Sequence, residues 1–472
     1  MARVIIIGGG WAGCGAAIAA AKAGADEVVL FEKTDLLLGT GLVGGIMRNN
    51  GRFTATEEMI ALGAGDIFVT ADKVSRHTDV AFPGHQHASL YDVTKIEPAI
   101  KRAVQSYGVQ IKMVSRVTDV ALEEVPAPGP QPAGAWTILG RKVPRPRMLK
   151  RIKAIQYYEK HGSDFGSPHW MEGDVFIETT GSVGPQSECA RYGNGCVMCI
   201  IRCPTFGGRV SIAELCGVPE MVGGSAEDRL GAFSGSCKLV KDSLAPRIVR
   251  ELEETGVALV PLPAHMVEMD KLSKKACQQY ASKEFAENII LLDTGHAKLM
   301  TAYFPLEQLR SVPGFENARY DDPYSGGMGN SVRYLALSPR DNALRVGGMV
   351  NLFCGGEKAG PLVGHTEAGV TGSLAGHNAV RYAHGRPLLE LPTTLAVGDA
   401  IAHVNEMITQ GGLFKKFTFS GAGYFGRMKE LGLYSTDIGE IHRKVAATGL
   451  TGIMAQDMRT WPGDSFAVAA GD

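Results

Sequence analysis

The chain has 472 residues, 48 of them Lys or Arg and 49 Asp or Glu, for a net charge of −1, which excludes a strongly basic polynucleotide binder and a charge-driven disordered protein. Apolar residues make up 45% and charged residues 21%, the balance of a globular protein, and the length calls for two or three domains. Nine cysteines that cluster rather than space evenly argue against a secreted disulfide framework and for a reducing cytoplasm, and no apolar run of about 18 residues predicts a membrane span.

The first predicted element is a strand that runs into "VIIIGGGWAGCGAA", with Gly8, Gly10 and Gly13 in G-x-G-x-x-G spacing, then a small-residue helix and a second strand, "EVVLFEK", carrying Glu32. The physical roles differ from glycine to glycine. Gly8 permits the tight turn, Gly10 lets a pyrophosphate approach backbone, and Gly13 lets helix pack on strand. The start of the helix favours anionic phosphates. Glu32, nineteen residues after Gly13, can accept both ribose hydroxyls, which favours FAD or NAD over NADP.

The segment "TDLLLGTGLVGG", with Gly41 and Gly45, resembles the second glycine-rich segment of FAD-dependent oxidoreductases, which implies that it runs toward the flavin. Residues 87–123 read as a helix and two strands, and the resemblance places Val117 against the adenine. Next come a Pro/Gly-rich excursion over 124–160 and, inside it, "RKVPRPRMLKRIK" (141–153) with seven basic residues. This arm reads as a phosphate or nucleic-acid patch, or as a solvated arm docking an acidic partner; the rest of the chain offers no matching basic surface, which favours the second. The strand in "GDVFIETTGSVGP" ends on Thr179-Thr180-Gly181, which looks like the alanine-threonine-glycine turn of that family. Far downstream, a buried strand ends in Gly355-Gly356-Glu357, and a helix starts near His365-Thr366. The resemblance sets Gly356 and Glu357 near the ribitol and the helix start, with Thr366, near the flavin.

Between these segments, "SECARYGNGCVMCIIRCPTFGG" places Cys189, Cys196, Cys199 and Cys203 within fifteen residues. The spacing looks like a permuted ferredoxin run, and four thiolates suit a [4Fe–4S] cluster, tetrahedral zinc, or no metal at all. Cys189 lies eight residues from Gly181, so a metal there lies close to a bound flavin, a setting that favours iron–sulfur. Cys216 and Cys237 are reserve ligands.

Two passages, "FPLEQLRSVPGFENARY" (304–320) and "LFCGGEKAGPLVGHTEAGVTGSLAGHNAVR" (352–381), are similar to the folate-dependent tRNA uracil-5-methyltransferase flavoproteins and to the larger tRNA wobble-uridine-modifying flavoproteins. The resemblance implies an FAD-binding fold. Those enzymes use a cysteine in the early flavin-facing region, whereas "GTGLVGGIMRNNGRF" (39–53) has none.

Among single residues, His365 reads as a group that stabilises reduced flavin or protonates substrate, or as a plain helix-start residue. Cys354 reads as core packing or as a redox contact. His85 and His87 have metal-pair spacing, but a plain loop is the preferred reading. The expected architecture is α/β, a two-dinucleotide-binding-type FAD fold with a Rossmann-like parallel sheet, an inserted domain and a helical C-terminal region. Its divisions are 1–187, 188–339 (substrate or iron–sulfur), 340–385 and 386–472. The expected protein is a cytoplasmic FAD-dependent oxidoreductase that couples two-electron flavin chemistry to one-electron transfer through the cluster. Its partners would be a small-molecule substrate or a ferredoxin-like carrier, in a homo-oligomer or redox complex. Two alternatives are a folate- and FAD-dependent RNA uracil methyltransferase-like enzyme and a non-catalytic flavoprotein subunit with structural zinc.

Overall fold

Five parallel strands carry the site, in the order Leu352–Cys354, Val175–Glu178, Arg3–Ile7, Glu27–Phe31 and Gln110–Lys112. The computed structural model describes residues 1–126, 135–138, 141–144, 148–159, 166–181, 206–223, 232–234, 236–274, 278–301, 304–321, 331–333, 335–409, 416–421 and 423–461. All but the edge strand Gln110–Lys112 are short and almost wholly buried, which is why they read as apolar runs without alternation. Val4 sits in register with Val28 on one side and Val175 on the other. The chain begins at the centre of the sheet, moves to one edge, then returns to fill the other. The order therefore reverses between Arg3–Ile7 and Val175–Glu178, and in such sheets a ligand crevice opens beyond the strand ends at that point.

Two helices lie against each other beside the sheet, Trp11–Lys22 and His365–Ala383. They touch backbone to backbone: a Cβ at Gly372 would come within 2.1 Å of the Ala12 carbonyl oxygen, and one at Gly376 within 2.2 Å of that of Ala16. The first strand, this helix pair and the last strand thus form one layer pair from opposite ends of the chain.

The region 87–123 differs from expectation at its front. His85–Tyr91 is a strand that pairs with Ser75–Phe82 and Ile46–Met47, and the helix Ile96–Ser106 and strands Gln110–Lys112 and Ser115–Pro126 follow it. In the excursion, Ser115–Pro126 pairs antiparallel with Met148–Glu159, which pairs with His169–Glu172.

A four-stranded antiparallel sheet follows, ordered Cys237–Leu239, Ala297–Leu299, Asn288–Asp293, Val257–Pro261. With the helix Pro246–Thr255 it buries its own core of Leu239, Ile248, Leu252, Leu291 and Phe315. The expected insertion 188–339 is therefore divided: Val210, Ile212, Met221 and Leu337 pack into the main core instead. Arg76 and His77 from the main body and Lys241 from the insert converge on Asp293, at 3.0, 2.9 and 2.6 Å. The helices Ala396–Thr409, Tyr424–Glu430 and Ile438–Ala447 form the C-terminal region. No helix among the described residues is long and apolar enough to cross a membrane.

Candidate functional site

The three glycines of the turn after the first strand are held to different constraints. Gly8 has φ +109°, and a Cβ there would lie 2.5 Å from the Thr179 carbonyl oxygen. A Cβ at Gly13 would lie 1.9 Å from the Gly8 carbonyl oxygen, inside any tolerable contact. Gly10 is different: a Cβ there meets no protein atom within 4 Å. Gly8 and Gly13 are required by the protein's own packing, whereas Gly10 leaves open space above the start of the helix. No side chain caps that helix start, so its first N–H groups and dipole favour an anion.

Glu32 stands at one end of the crevice, buried, just past the second strand. One carboxylate oxygen accepts from the Gly9 N–H at 2.8 Å. The other accepts from the Thr34 N–H at 2.8 Å and from its hydroxyl at 2.9 Å. The carboxylate is thus fixed by its own turn before any ligand arrives. Thr179 braces the opposite wall by donating from Oγ1 to the Gly8 carbonyl at 2.6 Å. At the far end the Gly356 N–H donates to Thr371 Oγ1 at 2.8 Å, and Gly355 N–H to the Glu178 carbonyl at 3.0 Å. One cleft runs from Glu32 and Val117, past Gly8, Gly10, Thr180 and Gly181, to Gly41, Gly356, Glu357 and His365. These residues fit FAD: an acid at one end, an open glycine over a helix start in the middle, and a second helix start at the other end.

Four predicted residues do not line this cleft. Gly13 acts through packing. Gly45, at φ +75°, lies against Thr294, to which a Cβ would come within 2.3 Å. Thr366 is fully buried, with its hydroxyl 3.6 Å from Met47 Sδ. Cys354 is fully buried in its strand, and burial pushes its thiol up to about 12, so it is protonated at neutral pH and fills core. His365 does line the cleft and is also the first residue of its helix. Its ring lies 5.6 Å from Trp11 and 6.0 Å from Tyr91, and a Cβ at Gly44 would strike it at 1.8 Å.

Sequence reasoning missed the wall that follows the cysteines. Arg209 lines the cleft, donating from Nη2 to Glu220 at 2.8 Å and from Nε to the Thr180 carbonyl at 3.3 Å. Lys33 and Arg116, also on the cleft, donate to the carbonyls of Gly207 at 2.9 Å and Gly208 at 3.1 Å. Below them, fully buried Lys358 lies 3.2 Å from Glu178, 2.7 Å from Ser211 Oγ and against Glu220. Burial works against the Glu220 charge, yet Arg209 and Lys358 together hold its carboxyl down at about 2. This network joins the Thr179–Gly181 turn to the Gly355–Ala359 turn beneath the cleft. The adjacency of Lys358 to Glu357 was its one local signal.

Cys189, Cys196, Cys199 and Cys203 lie outside the described residues. The flanks of their segment are described, and both reach the cleft, at Gly181 on one side and Gly208-Arg209 on the other. Cys216 and Cys237 are buried, and burial pushes the Cys216 thiol up to about 12. Among the described residues no group of three or more His, Cys, Asp or Glu could hold a metal. His85 and His87 stand at the start of a strand, not in a plain loop: His85 is engaged by Asn49 and the Gln279 carbonyl, His87 by Asp79. In the basic arm, Lys150 donates to the Cys216 carbonyl and Arg151 faces Glu123 at 3.8 Å. Two of its seven cations are thereby turned to protein groups.

Comparison with known proteins gives a family match. The family described as glucose inhibited division protein A matches residues 3–244 and 287–387. A tRNA uridine 5-carboxymethylaminomethyl modification enzyme of Thermus thermophilus is 25% identical over 423 residues, covering 82% of this chain and 66% of the relative. The chain thus spans just under two thirds of that relative's length. A methylenetetrahydrofolate–tRNA-(uracil-5-)-methyltransferase of Methylobacterium radiotolerans is 38% identical over 97 residues, 20% of this chain and 19% of the relative. Among solved structures, GidA of Aquifex aeolicus superposes with a TM-score of 0.56 at 15% identity, covering 94% of this chain and 76% of that one, a likeness of fold.

Proposed function

The chain belongs to the glucose-inhibited division protein A family, and we propose that it is an FAD-dependent oxidoreductase holding the dinucleotide along the cleft from Glu32 to His365. One observation carries the reading: the open space over Gly10 sits at a helix start, midway along a cleft with a fixed carboxylate at one end. Bound FAD would supply a two-electron carrier. Glu32 would accept the ribose hydroxyls, and the first N–H groups of Trp11–Lys22 would hold the diphosphate. Gly356 and Glu357 would face the ribitol. His365, at the start of the second helix, would exclude water from the flavin end and hold a proton on its ring.

Gly10→Val tests this directly. Its Cβ meets no protein atom, so the fold is expected to survive while the purified protein loses flavin absorbance. A Gly10→Val protein that keeps its flavin sinks the reading.

A second reading concerns substrate. Both curated relatives are named for tRNA uridine or uracil chemistry, which supports an RNA uracil methyltransferase-like activity over cluster-coupled electron transfer. The passage 304–320 lies in the inserted body, with Phe315 and Ala318 in its core. Methyl transfer to uracil in unmodified tRNA, with a methylene carrier and a reductant, would bear it out; turnover with no RNA present would oppose it. Coupling to iron–sulfur, or bracing by zinc, on the four cysteines rests on their spacing and on the flanks of their segment at the cleft. Iron and zinc content of protein purified without air decides that point.

A further inference from the structure

The insert reaches the flavin end of the cleft through the loop 41–45, and it does so with a buried cation. Gly41 lines the cleft, and Gly44 lies against the His365 ring, which a Cβ there would strike. Four carbonyls of this loop accept hydrogen bonds from outside the cleft lining. The Gly41 carbonyl takes the Tyr91 hydroxyl at 2.9 Å, and the Gly45 carbonyl takes the Tyr91 N–H at 3.0 Å. Between them, the carbonyls of Val43 and Gly44 take Lys298 Nζ at 3.3 and 2.7 Å. Tyr91 belongs to the main body, whereas Lys298 stands on the insert strand Ala297–Leu299. Thr294 of the insert closes on the same loop: Gly45 has φ +75°, and a Cβ there would lie 2.3 Å from the Thr294 methyl group.

Lys298 is 6% exposed. Withdrawing an ammonium from water is costly, and apolar packing would brace a loop at lower cost. What packing cannot do is fix the direction of two consecutive carbonyls. Gly44 and Gly45 give this stretch little conformational preference of its own, so bonds from outside must set it. From Gly44 the contact passes to His365, whose Nδ1 also lies 3.4 Å from the Ile46 carbonyl. The rings of His365, Trp11 and Tyr91 stand within 6.0 Å of one another, centre to centre, at this end of the cleft.

We propose that Lys298 is a positioning residue through which the insert sets the flavin end of the cleft. It fixes the Val43 and Gly44 carbonyls, and that backbone holds the His365 ring where the flavin would lie. The proposal rests on the cleft holding FAD. It gives the insert a regulatory part, because a displacement of Ala297–Leu299 is felt at the flavin without any contact between the two.

The test uses the full chain, titrated with FAD, with affinity read by flavin fluorescence and the ring environment by visible circular dichroism of the bound flavin. Lys298→Met keeps the length of the side chain and removes the charge. It is expected to weaken FAD about tenfold, the loss for one charge-assisted contact, and to change the dichroism; Lys298→Arg, which still donates, should recover most of both. Leu291→Ala loosens the insert through its core and should leave both at wild-type values, which separates positioning from general destabilisation. In a His365→Leu background the loss from Lys298→Met should be less than additive, since one acts through the other. Should Lys298→Met not fold, Thr294→Ser acts on the loop from the same side, with an expected loss of about threefold. Wild-type affinity and dichroism in Lys298→Met, equal losses in Leu291→Ala, or full additivity with His365→Leu would each overturn the proposal. Wild-type protein that takes up no FAD sinks the cleft reading; wild-type protein that binds FAD, with Lys298→Met matching it, sinks this proposal alone.

Discussion

The parallel sheet and the antiparallel sheet are assembled from different raw materials. The first collects strands from residues 3–7, 27–31, 110–112, 175–178 and 352–354, while the second uses one stretch between 237 and 299. The parallel body closes on backbone: glycines at 8, 13, 372 and 376 stand where a Cβ would strike another chain segment. The insert closes on side chains, with Leu239, Leu252, Leu291 and Phe315 wholly buried around one small core. Close backbone approach makes the cleft precise and intolerant of a single methyl group. Side-chain packing makes the insert tolerant in proportion to volume. The two bodies meet across an apolar cluster of Ile46, Val80 and Leu90 on Val257, Ile290 and Leu292, and across the charges at Asp293.

That contrast can be broken at its strongest point by Gly13→Ala. The new methyl group would face the Gly8 carbonyl at 1.9 Å, so a loss of about 4 kcal/mol is expected, together with the flavin. Chemical denaturation and absorbance read both. Leu291→Ala should cost about 3 kcal/mol, through a cavity in the insert, while flavin content stays at the wild-type level. Loss of flavin in that variant would show that the bodies are not energetically separate. Asp293→Asn sharpens the account of the joint. Arg76, Lys241 and the His77 ring lose their carboxylate partner, but Arg76 is 30% exposed and can turn to water, so the cost should fall to about 2 kcal/mol, below that of a sealed pair. The insert is then expected to melt at a lower temperature than the flavin-bearing body.

The smallest effect is a pH dependence at His85. Its folded pKa of about 4 lies below the ordinary 6.5, so the folded state loses stability as pH falls through 6.5 toward 4. Between pH 7.5 and 5.5 the wild type should lose about 1 kcal/mol more than His85→Gln. Urea titrations at the two pH values check this, and equal slopes would show that His85 is solvated.

The residues that the sequence placed on the cleft were those whose position follows from local chain geometry. Gly8, Gly10, Glu32, Thr180 and Gly356 sit within a few residues of a strand end, and strand ends in this topology converge on one crevice. Thr366 and Cys354 were placed on the right elements but the wrong face, because facing depends on helix phase and on which strand lies alongside. Arg209 and Lys358 were not seen at all. Lys358 acts through Glu178 and Glu220, which are 180 and 138 residues away, and no periodicity carries that information.

The sequence by itself determined that a dinucleotide crevice exists, where its glycines fall, and which family of folds supplies it. Those features are written in turns and strand–helix junctions, which depend on neighbours in the chain. Only the tertiary structure decided which charges meet beneath the crevice, which cysteines are sealed in core, and that Lys298 of the insert reaches the carbonyls of Val43 and Gly44. Such features require segments hundreds of residues apart to come within a few ångströms. Burial and ion pairing then act on groups whose local sequence looks ordinary.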